Sequence, residues 1–137
     1  MPGTLATRGR PEKARSAVHS VLVVDDEKHI RITLADILAD EGYEVGTADT
    51  GEKAVRLCHK RSFDVILMDI RMPGMDGFEA FRIIRRRRSE ARVIMMSAYG
   101  MNAFRRVARD AGAMAFVQKP LDVAQLLRLI AGARDRT

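Results

Sequence analysis

The feature that most constrains this chain is the run Val65-Ile66-Leu67-Met68-Asp69, followed closely by Met72-Pro73-Gly74-Met75-Asp76-Gly77. Four successive apolar residues with no polar face read as a short strand covered on both sides. Met72-Pro73-Gly74 stops it, because proline offers no N–H to a ladder and the pair marks a turn. Asp76, with Glu79 three residues on, predicts an N-cap and capping box for a helix. Asp69 therefore stands at the carboxyl end of a buried parallel strand, where open α/β sheets place their ligand crevice. Desolvating a carboxylate is costly unless a partner offsets it, so partners are expected from elsewhere in the chain.

The same grammar repeats along the sequence. Val21 to Val24 is a first buried strand and runs straight into Asp25-Asp26. From Glu27 to about Glu41 the period is helical, with Ile30, Leu34, Ile37 and Leu38 on one face and Gly42 as the stop. Tyr43-Glu44-Val45 alternates as a more exposed strand; Asp49-Thr50-Gly51 gives a turn and cap. The helix that follows points Ala54, Val55, Leu57 and Cys58 at the sheet. A third helix, Gly77 to Arg87, carries Phe78, Phe81 and Ile84 inward, and Ser89-Glu90 ends it. Arg92 to Met96 is a fourth strand that closes on Ser97. The helix from about Asn102 to Asp110 has Phe104 and Val107 as its apolar face and little else, which predicts the least firmly packed helix. Ala115 to Gln118 is a fifth strand ending in Lys119-Pro120. Asp122 with Gln125 caps a last helix facing Leu126, Leu127, Leu129 and Ile130 inward. Five alternations of strand and helix call for a parallel sheet with helices on both faces.

A chain of 137 residues is long enough for one core. No apolar run approaches the roughly 20 residues of a membrane span. The N-terminus lacks an apolar signal region, and a lone cysteine, Cys58, makes no internal disulfide; both point to the cytoplasm. Residues 1–18 read as a flexible basic arm, 19–133 as the folded domain and 134–137 as a frayed tail. The net charge is +6, half of it from Arg8, Arg10, Lys13 and Arg15 against Glu12; Arg85-Arg86-Arg87-Arg88 is the other cluster. These arginines read as solvated surface, with a nucleic-acid or acidic-partner patch as the alternative; the lack of interleaved aromatics argues against nucleic acid.

Four strand ends share one edge and carry Asp25-Asp26, Asp69, Ser97 and Lys119. Each has an ordinary explanation alone: a polar loop, a helix cap, a turn-capping hydroxyl, a surface lysine. Together they describe a phosphoryl-transfer site. Asp69 is suited to be the nucleophile, forming an acyl phosphate. Hard oxygen donors at Asp25 and Asp26 suit Mg²⁺ (or Mn²⁺). Lys119 offers a point cation to a phosphoryl oxygen, and a pairing with Asp69 in its absence. Ser97 offers a hydrogen bond. The sequence has no glycine-rich nucleotide cradle, so the donor is expected not to be ATP.

On these motifs (Asp25-Asp26; Asp69 with Met72 to Gly77; Ser97-Ala98; Lys119-Pro120) the chain resembles the response-regulator receiver domains of two-component signalling, over about residues 19 to 133. The resemblance implies a flavodoxin-like (βα)5 three-layer α/β fold with a parallel sheet of order 2-1-3-4-5. It implies that Asp69 accepts a phosphoryl group from a histidine kinase or histidine phosphotransferase. It implies Mg²⁺ held by Asp26, Asp69 and the backbone carbonyl of Arg71, with Asp25 assisting, and a cis Lys119-Pro120 bond. Ser97 and Phe116 occupy the family's switch positions, and Phe116 lacks the hydroxyl that many relatives carry there. Arg71 and Tyr99 sit where bulk and charge slow the attacking water, which implies a fairly long-lived phosphoryl group and slow autodephosphorylation.

Glu27, Lys28, Ile30 and Thr33 on the first helix are the expected docking face for the kinase or phosphotransferase. A downstream protein target is expected on the fourth helix, fifth strand and fifth helix, including Met101, Phe104 and Arg105. The chain is expected to be a monomer or a phosphorylation-dependent dimer, and a stand-alone or relay receiver. Three alternatives stay open: the receiver portion of a longer DNA-binding regulator, a binding module that is never phosphorylated, and a metal-dependent phosphatase or hydrolase. The last needs a general acid/base, and of the histidines only His29 falls near a strand end.

Overall fold

The structure is a computed structural model. It describes residues 18–98 and 101–133, the side chains of Met101 and Asn102 excepted. The expected arm, except Val18, and the tail lie outside these residues, as does Tyr99. Five strands and five helices alternate: β1 Ser20–Val24, α1 Lys28–Asp40, β2 Glu44–Ala48, α2 Gly51–Lys60, β3 Val65–Asp69, α3 Gly77–Arg87, β4 Arg92–Ser97, α4 Met101–Asp110, β5 Ala115–Gln118 and α5 Val123–Gly132. All strands are parallel, in the order β2-β1-β3-β4-β5. The three-layer fold expected from the sequence is the one observed.

Period-two alternation sorts the strand residues onto two faces. Val21, Val23, Val65, Leu67, Ile94 and Met96 pack with Leu34 and Leu38 of α1 and with Leu126 and Ile130 of α5. Leu22, Val24, Ile66, Met68, Val93 and Met95 pack with α2, α3 and α4 through Cys58, Phe81, Ile84 and Ala108. This is why the strand sequences read as unbroken apolar runs: each residue has a helix over it. Val18 is partly buried against the first of these clusters. Caps act as expected at three helices: Thr50 accepts from the Lys53 N–H (3.0 Å), Asp76 from Glu79 (2.9 Å) and Asp122 from Gln125 (3.1 Å).

Three details differ from the sequence reading. The second strand is not Tyr43 to Val45 but Glu44–Ala48, since it pairs with β1 along its whole length, Ser20 opposite Glu44 through Val24 opposite Ala48. Its small residues disguise it, and Gly46 is needed because a Cβ there would meet the Phe63 ring at 2.9 Å. Val107 does not face inward: it is 48% exposed, and Ala108 takes the buried place beside partly buried Phe104. Leu127 and Leu129 are only partly buried, leaving Leu126 and Ile130 as the core residues of α5. Among the described residues, no helix is long and apolar enough to cross a membrane.

Candidate functional site

The carboxyl edge of the sheet gathers the polar residues that the strand ends supply. Asp25 follows β1 and is completely buried. Its Oδ1 accepts the Glu27 N–H at 2.9 Å, and its Oδ2 accepts the Lys119 ammonium at 2.7 Å. The neighbouring Asp26 is exposed. Asp69 is the last residue of β3 and Ser97 the last of β4; both are buried. Asp25, Asp26 and Asp69 each offer a carboxylate oxygen within 4.8 Å of the other two. Lys119 is threaded between them. Its backbone N–H donates to the Ser97 carbonyl (2.9 Å), and its Nζ stands 3.5 Å from Asp69 Oδ1. The Lys119-Pro120 bond is cis.

The expected pairing of Lys119 with Asp69 is present, and an unforeseen second one with Asp25 joins it. Lys119 binds Asp25 more closely than Asp69 (2.7 against 3.5 Å). The reason is burial: Asp25 has no contact with water, so its carboxylate needs both a backbone donor and the ammonium. Burial, reinforced by the charge of Asp25 and only partly offset by Lys119, pushes the Asp69 carboxyl up to about 6. Burial alone would lower the Lys119 ammonium, but its hydrogen bond to Asp25 and the charge of Asp69 outweigh that and raise it.

The loop after β3 is held by close backbone approach. The Gly77 N–H bonds to the Ile70 carbonyl at 2.8 Å. A Cβ on Gly77 would overlap the Asp69 carbonyl oxygen, so only glycine fits there. A Cβ on Gly51 would sit 2.9 Å from the Met75 carbonyl oxygen, and Gly74 needs its positive φ of 77°. Arg71 is exposed at the mouth, beside a hollow of about 600 Å³ that Met72, Pro73, Phe78 and Phe104 also line. Phe116 is half-buried, with the Arg105 guanidinium 5.1 Å from its ring centroid.

Glu27, Lys28 and Thr33 are exposed and Ile30 is partly buried. Ile30 and Thr33 line an apolar hollow of about 280 Å³ shared with Pro120, Leu121 and Val123. The sequence reading found one wall of that hollow and missed the other; the signal was Val123, an apolar residue directly after the cap. It also missed Arg31, whose Nη1 donates to the Asp25 carbonyl oxygen at 2.9 Å. No spacing rule announces that contact.

The family model for the response regulator receiver domain matches residues 21–131. The chain is 39% identical to the transcriptional regulatory protein PdtaR of Mycobacterium tuberculosis over 117 residues, 85% of this chain and 57% of that protein. It thus spans a little over half of that relative's length. It is 39% identical to the chemotaxis protein CheY of Bacillus subtilis over 113 residues, 82% of this chain and 94% of the other. Among solved structures it is similar to the response regulator TrrA of Thermotoga maritima in complex with Mg²⁺ and BeF, with TM-score 0.76, 33% identity, and coverage of 84% of this chain and 98% of that one. The matched span, the relatives and the sheet order together show that this chain belongs to the response regulator receiver domain family.

Proposed function

We propose that this protein is a phosphoacceptor signalling domain in which Asp69 takes a phosphoryl group from a histidine kinase or histidine phosphotransferase. The observation that carries the reading is the convergence of Asp25, Asp26 and Asp69 within 4.8 Å, with Lys119 between two of them. A carboxylate oxygen of Asp69 attacks phosphorus; the O–P bond forms as the P–N bond of the phosphohistidine breaks, and the imidazole leaves with the electron pair. Such a loose transition state asks the protein chiefly for position and charge neutralisation.

The clustered oxygen donors fit a hard divalent cation, Mg²⁺ or Mn²⁺. Asp26, Asp69 and the Arg71 backbone carbonyl would hold it. It would supply positive charge against the carboxylates and the incoming phosphoryl oxygens. Asp25 assists from behind, since both of its oxygens already have donors. Lys119 can turn from Asp25 towards a phosphoryl oxygen, and Ser97 donates to another. Ser97 and Phe116 form the switch, read out to a downstream protein on α4, β5 and α5, where Met101, Phe104 and Arg105 lie. Arg71 and Tyr99 hinder water and lengthen the phosphoryl lifetime. Glu27, Lys28, Ile30 and Thr33 dock the donor. The domain occupies 19–133 and acts in the cytoplasm as a stand-alone or relay receiver, monomeric or dimerising on phosphorylation. The partial coverage of the mycobacterial regulator favours a second reading, the receiver portion of a longer regulator.

Intact mass after incubation with Mg²⁺ and a small phosphodonor tests the chemistry. A hydroxylamine-labile phosphoryl adduct is expected, lost with Asp69→Asn and with EDTA. An adduct that persists in Asp69→Asn, or none on folded wild-type protein, sinks the proposal. Decay within seconds would overturn the long lifetime.

A further inference from the structure

We propose that α3 and α4 form a second interaction surface, remote in chemistry from the carboxylate edge, which binds an acidic protein segment bearing an aliphatic side chain. The charge of the domain is unevenly placed. Between residues 77 and 112 there are nine arginines, no lysine and three acids (Glu79, Glu90 and Asp110), a net of +6; the rest of 19–133 has nine bases against thirteen acids. Arg82, Arg86, Arg87, Arg106 and Arg109 are exposed and make no ion pair with another described residue.

The arginines are arranged around a groove and are not merely scattered. Phe81, Arg82, Arg85, Arg86 and Ala111 line a groove of about 290 Å³ between α3 and the turn after α4. Arg85 is fixed across it: its Nη1 donates to the Gly112 carbonyl at 3.1 Å, and its guanidinium lies 5.5 Å from the Phe81 ring centroid. The positive φ of 94° at Gly112 belongs to the turn that carries that carbonyl. Val107, 48% exposed, lies one turn before Ala111, whose N–H bonds to the Val107 carbonyl at 3.0 Å. An aliphatic spot thus adjoins a rim of guanidinium groups, one already immobilised. Arginines in the last turn of α3 gain a few tenths of a kcal/mol each from the helix dipole. That accounts for Arg85, Arg86 and Arg87, but not for Arg82, or for Arg105 and Arg106 in the middle of α4.

Uncompensated like charges make this face repel itself, and a partner's carboxylates remove that repulsion on contact. A nucleic acid fits less well. Single-stranded bases stack on exposed aromatic faces, and Phe81 is 1% exposed beneath Arg85. Val107 offers an aliphatic contact that a peptide side chain uses.

The test uses the full chain and two labelled probes of equal charge, a peptide of Glu-Glu-Leu repeats and a single-stranded RNA, followed by fluorescence anisotropy. The peptide is expected to bind about tenfold tighter than the RNA. Arg82→Glu with Arg86→Glu should weaken the peptide at least about tenfold. Val107→Asp, an exposed change that leaves the core intact, should also weaken it. Arg128→Glu on α5, and alanine at Arg8, Arg10, Lys13 and Arg15, should not. Backbone amide shifts on peptide addition should map to α3 and to residues 105–112. RNA bound as tightly as peptide, no peptide binding at low salt, affinity unmoved by the double reversal, or loss traced to the N-terminal arginines overturns the proposal.

Discussion

α3 and α4 are adjacent helices on the same face of one sheet, each begun by a loop that leaves the carboxylate edge, yet they are held in different ways. α3 buries Gly77, Phe78, Ala80, Phe81 and Ile84, and its first turn is pressed against the backbone of Asp69 and Ile70. α4 buries Ala108 among its described side chains, with Phe104 half-covered and Val107 out in solvent. Burial of a large apolar side chain stabilises by roughly 1.5–3 kcal/mol, and α3 has three such residues where α4 has part of one. The contrast assigns two tasks. α3 fixes the wall that positions Asp69. α4 can shift at little cost, which suits the readout role proposed for it.

Emptying the anchored side should cost the most. Phe81→Ala should lower unfolding free energy by about 3–5 kcal/mol, whereas Phe104→Ala should lower it by only about 1–2 kcal/mol, both from urea melts. Equal losses would mean that α4 is anchored as firmly as α3. Next in size is the charge at the anchored wall. The folded Asp69 carboxyl titrates at about 6, above its ordinary 3.8, so below 3.8 it is neutral in both states and indifferent. As pH rises from there through about 6, the unfolded chain releases its proton more easily than the folded one, and stability falls. Asp69→Asn should therefore stabilise the protein in EDTA at pH 8 by roughly 1–3 kcal/mol, an advantage that fades as pH drops towards 4. Added Mg²⁺ should shrink it. A gain independent of pH would place its origin elsewhere.

Hydrogen exchange sharpens the same contrast within one molecule. Amides of α4 should exchange through local opening, well ahead of α3, and Asp69→Asn should slow α3 while leaving α4 unchanged. The smallest effect is expected at Val107: exposed as it is, Val107→Ala should alter stability by less than about 0.5 kcal/mol.

Most of the scaffold and the edge that it builds were legible because burial on both faces leaves a continuous signal. Val21 to Val24, Val65 to Met68 and Val93 to Met96 carry no polar residue, and each ends on a polar one. β2 was harder. At the sheet edge it is paired on one side only, and Gly46 carries no side chain where the Phe63 ring occupies the space above it. Val107 misled for another reason: periodicity counts a valine and discounts Ala108, although Ala108 is the residue buried in the core cluster. The lysine pairing depended on a quantity no pattern reports, namely that Asp25 is sealed from water while Asp26, its neighbour in sequence, is exposed.

The contact between Gly77 and the Asp69 carbonyl has a genetic consequence. A screen for loss of signalling would recover alleles at both positions, and the two would look alike in any assay of output. They are different lesions. On the proposed function, an Asp69 allele removes the reacting atom from an intact fold; a Gly77 allele keeps that atom and forces its backbone aside. The second kind should be conditional, milder in the cold, and open to second-site suppressors in the turn from Met72 to Met75, where a shifted loop can make room. No suppressor should restore the first.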